Sequence, residues 1–200
     1  MTEDFLMNSA NKNDLNEFLA KKFKTLYRGD QIFNVTYQDT VLTNHPGHCS
    51  DQSVSIVKCQ SEEADQRIIR HSLHCVDQDF YNQIVVRTID TDVLILLISN
   101  LGGFRYDAIS DVDIYANMIN SSIYYDIGKI VAFLGTEVCK ALPFFYSFTG
   151  CDIVPSFYGK GKCKAWDIWM SSEHKDHYCD LFAKLCNKPD CVTVTKLLLR

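Results

Sequence analysis

The run Gln83-Ile84-Val85-Val86-Arg87-Thr88-Ile89 is rich in β-branched residues, and it stops abruptly at Asp90-Thr91-Asp92. Such a run reads as a strand, because branched side chains pack well on a pleated surface. Before it, residues 62–75 place Ala64, Ile68, Leu73 and Cys75 among the apolar positions of a helix. After it, Val93 to Ser99 begins a second helix or a short apolar element. Helix, strand and helix in that order is the signature of a parallel sheet covered by helices. The fold expected from the sequence is therefore α/β, with a central, mainly parallel sheet.

The flanking segments are less regular. Residues 13–23 carry an Asn or Asp cap followed by apolar residues at helical spacing. Gln31 to Tyr37 and Ser53 to Val57 alternate like strands around the turn Asn44-His45-Pro46-Gly47-His48. Asp111 to Met118 reads as another strand and Asp126 to Lys140 as a helix. The aromatic segment Leu142 to Phe148 follows, with Pro143 suited to the first turn of a new helix. The expected organisation is an N-terminal segment over residues 1–54, a main domain over 55–170 and a helical extension over 171–200.

At 200 residues the chain suits one well-packed core. Hydrophobic residues make up 46% and charged residues 22%, an ordinary globular composition. No apolar run reaches the roughly 18 residues of a membrane span, and residues 1–5 lack the basic and apolar regions of a secretory signal. Nine cysteines without a framework spacing read as free thiols in a reducing compartment. An intracellular location, nuclear or cytoplasmic, is the expectation. Two groups, His45/His48/Cys49 and His174/His177/Cys179, lack the paired C-x-x-C spacing of a zinc site and read as surface loops.

Three acidic clusters sit where a strand or loop enters a helix: Glu62-Glu63-Ala64-Asp65, Asp90-Thr91-Asp92 and Thr149-Gly150-Cys151-Asp152. Each has a structural explanation by itself, since carboxylates cap helices and oppose their dipole. Brought together, they would repel one another unless hard cations neutralised them. Such a site suits two Mg²⁺ or Mn²⁺ ions and phosphoryl chemistry, with nucleic acid as the substrate. On a helix Glu63 and Asp65 are about 200° apart, so both face one point only at a frayed first turn. Further on, Gly159-Lys160-Gly161-Lys162-Cys163-Lys164 is a basic turn entering a helix, and its spacing does not match a Walker A loop. Lys160, Lys162 and Lys164 are candidates for holding a phosphate backbone. The net charge of -5 runs against a nucleic-acid partner, and the carboxylates of a metal site supply part of it.

The ordered series E-A-D, R-T-I-D-T-D-V, T-G-C-D and a glycine-lysine turn resembles the internal nuclease region of the PIN-like, flap-endonuclease (XPG-type) superfamily. It is also similar to animal proteins of uncharacterised function bearing E-A-D-T-R and T-G-C-D-T-V with G-K-G-K, where Gln66 and Ile153 of this chain replace the two Thr residues. The resemblance covers about residues 55–170. It implies a three-layer PIN-like fold, with Glu63, Asp65, Asp90, Asp92 and Asp152 as metal ligands and Asp90 and Asp92 central to catalysis. It also implies a metal-bound hydroxide as the nucleophile. The family's fold begins with a strand ending in a metal-binding Asp, for which Asp39 is the available candidate. On that expectation the chain reads as a partial copy. The alternative function is then a catalytically inactive or truncated module that binds nucleic acid or protein.

Overall fold

The computed structural model describes residues 8–26, 34–37, 40–43, 64–77, 81–103, 112–151 and 154–186. They form two compact units, residues 1–70 and 71–200. The first holds helix α1 (Ser9–Leu26) and the hairpin of β1 (Asn34–Tyr37) and β2 (Thr40–Thr43), paired antiparallel from Asn34↔Thr43 to Tyr37↔Thr40. Helix α2 (Ala64–Asp77) runs across the boundary in sequence.

The second unit contains a three-stranded sheet in the order β3 (Gln83–Thr88), β4 (Asp113–Met118), β5 (Tyr124–Asp126). Strands β3 and β4 are parallel, from Gln83↔Asp113 to Thr88↔Met118, and helix α3 (Thr91–Gly103) follows β3 directly. Strand β5 returns antiparallel to β4 through a short turn with Asn120 at φ 71°. Buried Asn117 secures that turn, its Nδ2 donating to the carbonyls of Ser121 (3.0 Å) and Ile123 (2.9 Å).

The expected α/β architecture, a PIN-like three-layer fold with a central mainly parallel sheet, is overturned. The described residues are mostly helical, with one two-stranded and one three-stranded sheet and a single parallel pair. A parallel sheet is stable when helices cover both faces. On β3 only Val86 and Thr88 are buried, whereas Val85 is 43% exposed and Ile89, just beyond the strand, 77%. Val85 therefore points to a face that, among the described residues, no packed layer seals.

The apolar mass lies instead in helices. Asp126 starts α4 (Ile127–Leu134), and Gly135 divides it from α5 (Thr136–Phe148) with a bend of 101°. The single helix expected over residues 126–140 is thus two. Gly135 makes the break possible, since its φ of 80° is costly for any residue with a Cβ. Pro143 lies inside α5 rather than in a first turn. Helices α6 (Lys162–Ser171) and α7 (Lys175–Cys186) complete the unit, with α7 packed along α5. Phe145 packs against Trp166 and Trp169, with ring centroids 5.6 and 4.7 Å away, and Phe182 of α7 lies tilted against Phe144 at 5.1 Å. Among the described residues no single helix is long and apolar enough to cross a membrane.

Asp126 caps α4: its Oδ1 accepts the Lys129 N–H at 2.9 Å and its Oδ2 pairs with Lys129 Nζ at 2.9 Å. The ion pair is exposed and adds little. Loss of the cap in Asp126→Ala is expected to cost about 1 kcal/mol in urea unfolding, and Asp126→Asn, which keeps the acceptor, should recover most of it.

Candidate functional site

Strand β3 delivers the acidic pair. Buried Thr88 ends the strand and its Oγ1 accepts the Asp90 N–H at 3.0 Å, turning the chain out of the sheet. Asp90 then caps α3, its Oδ1 accepting the Asp92 N–H at 3.0 Å. Both carboxylates are half-buried at the end of β3, where α/β units place ligands.

Tyr146, one turn from the end of α5, reaches this pair. Its hydroxyl lies 2.9 Å from Thr91 Oγ1, next to the Asp92 carboxylate. Burial raises the phenol's pKa; the neighbouring Asp92 carboxylate and the charge of Asp90 add to this, and the Thr91 bond opposes it. The phenol is neutral at physiological pH.

Lys162, the first residue of α6, crosses over the same tyrosine. Its Nζ lies 3.8 Å from the Tyr146 ring centroid, a cation–π distance. The ammonium donates to the Tyr146 carbonyl at 2.7 Å, to Thr149 Oγ1 at 3.3 Å and to the Gly150 carbonyl. Three acceptors match its three donors. They also include main-chain carbonyls at the C-terminal end of α5, where positive charge is favoured. Burial lowers the Lys162 pKa, opposed by the charges of Cys151 and Asp92.

The structure thus joins parts of three segments: Asp90-Thr91-Asp92, Thr149-Gly150 and the glycine-lysine turn. Asp65 stands, half-buried, in the first turn of α2 within the first unit. Glu63, Asp152, Asp39 and the stretch with His45, His48 and Cys49 lie outside the described residues. Lys160 and Lys164 are exposed, while Lys162 is spent internally. His174 and His177 are exposed and Cys179 is buried. Among the described residues no three His, Cys, Asp or Glu side chains are grouped to hold a metal ion. Asp90 and Asp92 are nonetheless oxygen donors of the kind Mg²⁺ uses, with one or two carboxylates and the rest water. That fits one ion; a second would need carboxylates from beyond the described residues. The described cysteines 75, 139, 151, 163, 179 and 186 are free thiols.

Tyr146 escaped the sequence reading, which took Leu142 to Phe148 only as an aromatic segment, and Thr149 entered it only as part of the T-G-C-D motif. A signal was present: Tyr146 is the one phenol in Phe144-Phe145-Tyr146-Ser147-Phe148, and a tyrosine among phenylalanines implies a partner for its hydroxyl.

Replacing Lys162 with Met keeps the stem and removes the ammonium, leaving the Thr149 hydroxyl and two carbonyls without their donor. A loss of about 2 kcal/mol is expected, in the range for hydrogen bonds to a charged group, measured as a lower denaturation midpoint. Lys160→Met, at an exposed position, should leave the midpoint unchanged.

Comparison of the chain with family models, with curated proteins and with solved structures gave no match.

Proposed function

We propose that the chain catalyses divalent-metal-dependent phosphodiester hydrolysis of nucleic acid, with Asp90 and Asp92 holding Mg²⁺ or Mn²⁺. The observation that carries this reading is the Tyr146 linkage, which sets the acidic pair beside the glycine-lysine turn. A bound divalent ion would activate water and stabilise charge on the phosphate. The chain's own contribution is positional. The Asp92 N–H donating to Asp90 Oδ1 restricts where the Asp90 carboxylate points, and the Tyr146 hydroxyl, bonded to Thr91, stands beside Asp92. Exposed Lys160 and Lys164 supply phosphate contacts that carry affinity without sequence readout. The half-buried setting reduces competition from bulk water for the ion.

A second reading, a module that binds nucleic acid or protein without cleaving, is favoured by a different observation. One oxygen of Asp90 is spent on capping α3, and all three donors of Lys162 are spent on α5 and the residues just after it. Both readings meet in one assay: labelled single-stranded, duplex and flap DNA and RNA with purified protein and Mn²⁺. Cleavage that stops with chelator supports the nuclease. No cleavage, together with no rise in thermal stability on adding Mn²⁺, rejects it in favour of the binding module.

A further inference from the structure

Past the acidic pair, the chain presents an aromatic tip followed by a lysine-rich stretch. The carbonyl of Phe157 accepts the Lys160 N–H at 3.0 Å, closing a tight turn with Gly159 in its third position at φ 66°. A positive φ there is the mark of a type II turn and calls for glycine. Tyr158 occupies the second position and is fully exposed. Behind it Phe157, 52% exposed, tilts against Phe148, itself half exposed, with ring centroids 5.1 Å apart. Burial does not explain Tyr158, because its ring has left no surface behind.

Charge singles out the occupant. Residues 155–166 contain three lysines and no acid, in a chain whose net charge is -5. Lys162 turns inward onto Tyr146, so Lys160 and Lys164 are the two of these lysines left facing solvent. An exposed aromatic ring followed by two exposed lysines meets the needs of an unpaired nucleotide: the base stacks on the ring and neighbouring phosphates meet the ammonium groups. Duplex offers the ring no free face, since its bases are already stacked on one another.

We infer that the Phe157–Lys160 turn is a stacking platform for single-stranded nucleic acid, with Tyr158 as the base-contacting residue and Lys160 and Lys164 as phosphate contacts. The inference takes the nucleic-acid substrate from the proposed function and narrows it to single strands. Its position is coherent with that role, because Lys162, four residues past Tyr158, ends beside the tyrosine that hydrogen-bonds Thr91 of the acidic turn.

The test is fluorescence anisotropy with a labelled 20-mer of deoxythymidine and a mixed-sequence duplex of the same length, in EDTA and low salt so that nothing is cleaved. Tyr158→Ala is expected to weaken single-strand binding roughly five- to hundred-fold, the worth of one stacked base. Tyr158→Phe should bind like the native chain. The Lys160→Ala, Lys164→Ala variant should lower the slope of log affinity against log salt by about 1.4, for two lost phosphate contacts. Equal binding by Tyr158→Ala, a preference for duplex, or self-association through this tip without any oligonucleotide binding would each overturn the inference. Single-strand binding through Tyr158 without Mn²⁺-dependent cleavage overturns the proposed hydrolysis and leaves the platform standing. Cleavage that is indifferent to Tyr158 does the reverse.

Discussion

Mn²⁺-dependent cleavage is expected to fall by roughly three orders of magnitude in the Asp90→Asn, Asp92→Asn variant, while the fold survives. Two carboxylates that position a cation and its bound water are worth several kcal/mol of transition-state stabilisation, and each ~1.4 kcal/mol is a factor of ten. Asparagine is the informative replacement. Its side-chain oxygen can still accept the Asp92 N–H bond that caps α3, so the variant separates charge from capping. Alanine at position 90 would remove both and cost about 1 kcal/mol of stability as well. The readouts are rate on the labelled substrate and the shift of melting temperature with Mn²⁺. Loss of both at an unchanged metal-free melting temperature places the ion on this pair. A variant that still gains stability from Mn²⁺ puts the ion elsewhere, and native-like cleavage by the variant ends the proposal.

The second large effect is on folding. Helices α3 and α5 approach closely where Gly102 faces Cys139: a Cβ added at Gly102 would lie 2.4 Å from Cys139 Cβ and 3.0 Å from its Sγ. The surroundings, including Leu101, Val138 and Leu142, are buried and leave no path for retreat. Gly102→Val must therefore push the helices apart, at an expected cost of about 3 kcal/mol or more. Gly128→Ala is the control, since its new Cβ would meet only Asp126 Oδ1, at an ordinary 3.6 Å. There the gain in helix propensity, up to about 1 kcal/mol, should appear unopposed. Thiol labelling followed by peptide mapping gives a second readout. Cys139 is fully buried and its pKa is pushed up to about 11 by that burial, so it should label slowly in the native chain and quickly in Gly102→Val. Native-like stability of Gly102→Val would show that the two helices separate at little cost.

Local elements were largely legible. The β-branched run at residues 83–88, the carboxylate that stops it and the helix that follows are all local preferences, decided by side-chain shape and capping chemistry. The helix at 64–77, the strand at 113–118 and the helix entered from the glycine-lysine turn are of the same kind. Strand β5 was not visible, because three residues, Tyr124 to Asp126, carry too little pattern to stand out from a turn. The break at Gly135 was missed because apolar residues continue at helical spacing on both sides of it.

The sheet shows where local reading stops. A helix–strand–helix order is compatible with a broad parallel sheet only if further strands arrive by crossover and both faces are covered. Here β5 returns by a short antiparallel turn, and β1 and β2 pair with each other. No periodicity within β3 announces which partners will be present, since pairing is a contact between distant residues.

By itself the sequence determined the acidic pair at the end of β3, the glycine-lysine turn and the apolar character of the helices around them, because each depends on neighbours within a few positions. Only the tertiary structure decided that Tyr146 would bond Thr91 beside Asp92, that Lys162 would turn inward while Lys160 and Lys164 face water, and that Tyr158 would be fully exposed. These outcomes follow from packing α3, α5 and α6 together. Burial makes each unpaired polar group expensive, so the ammonium and the phenol took the partners that the fold brought within reach.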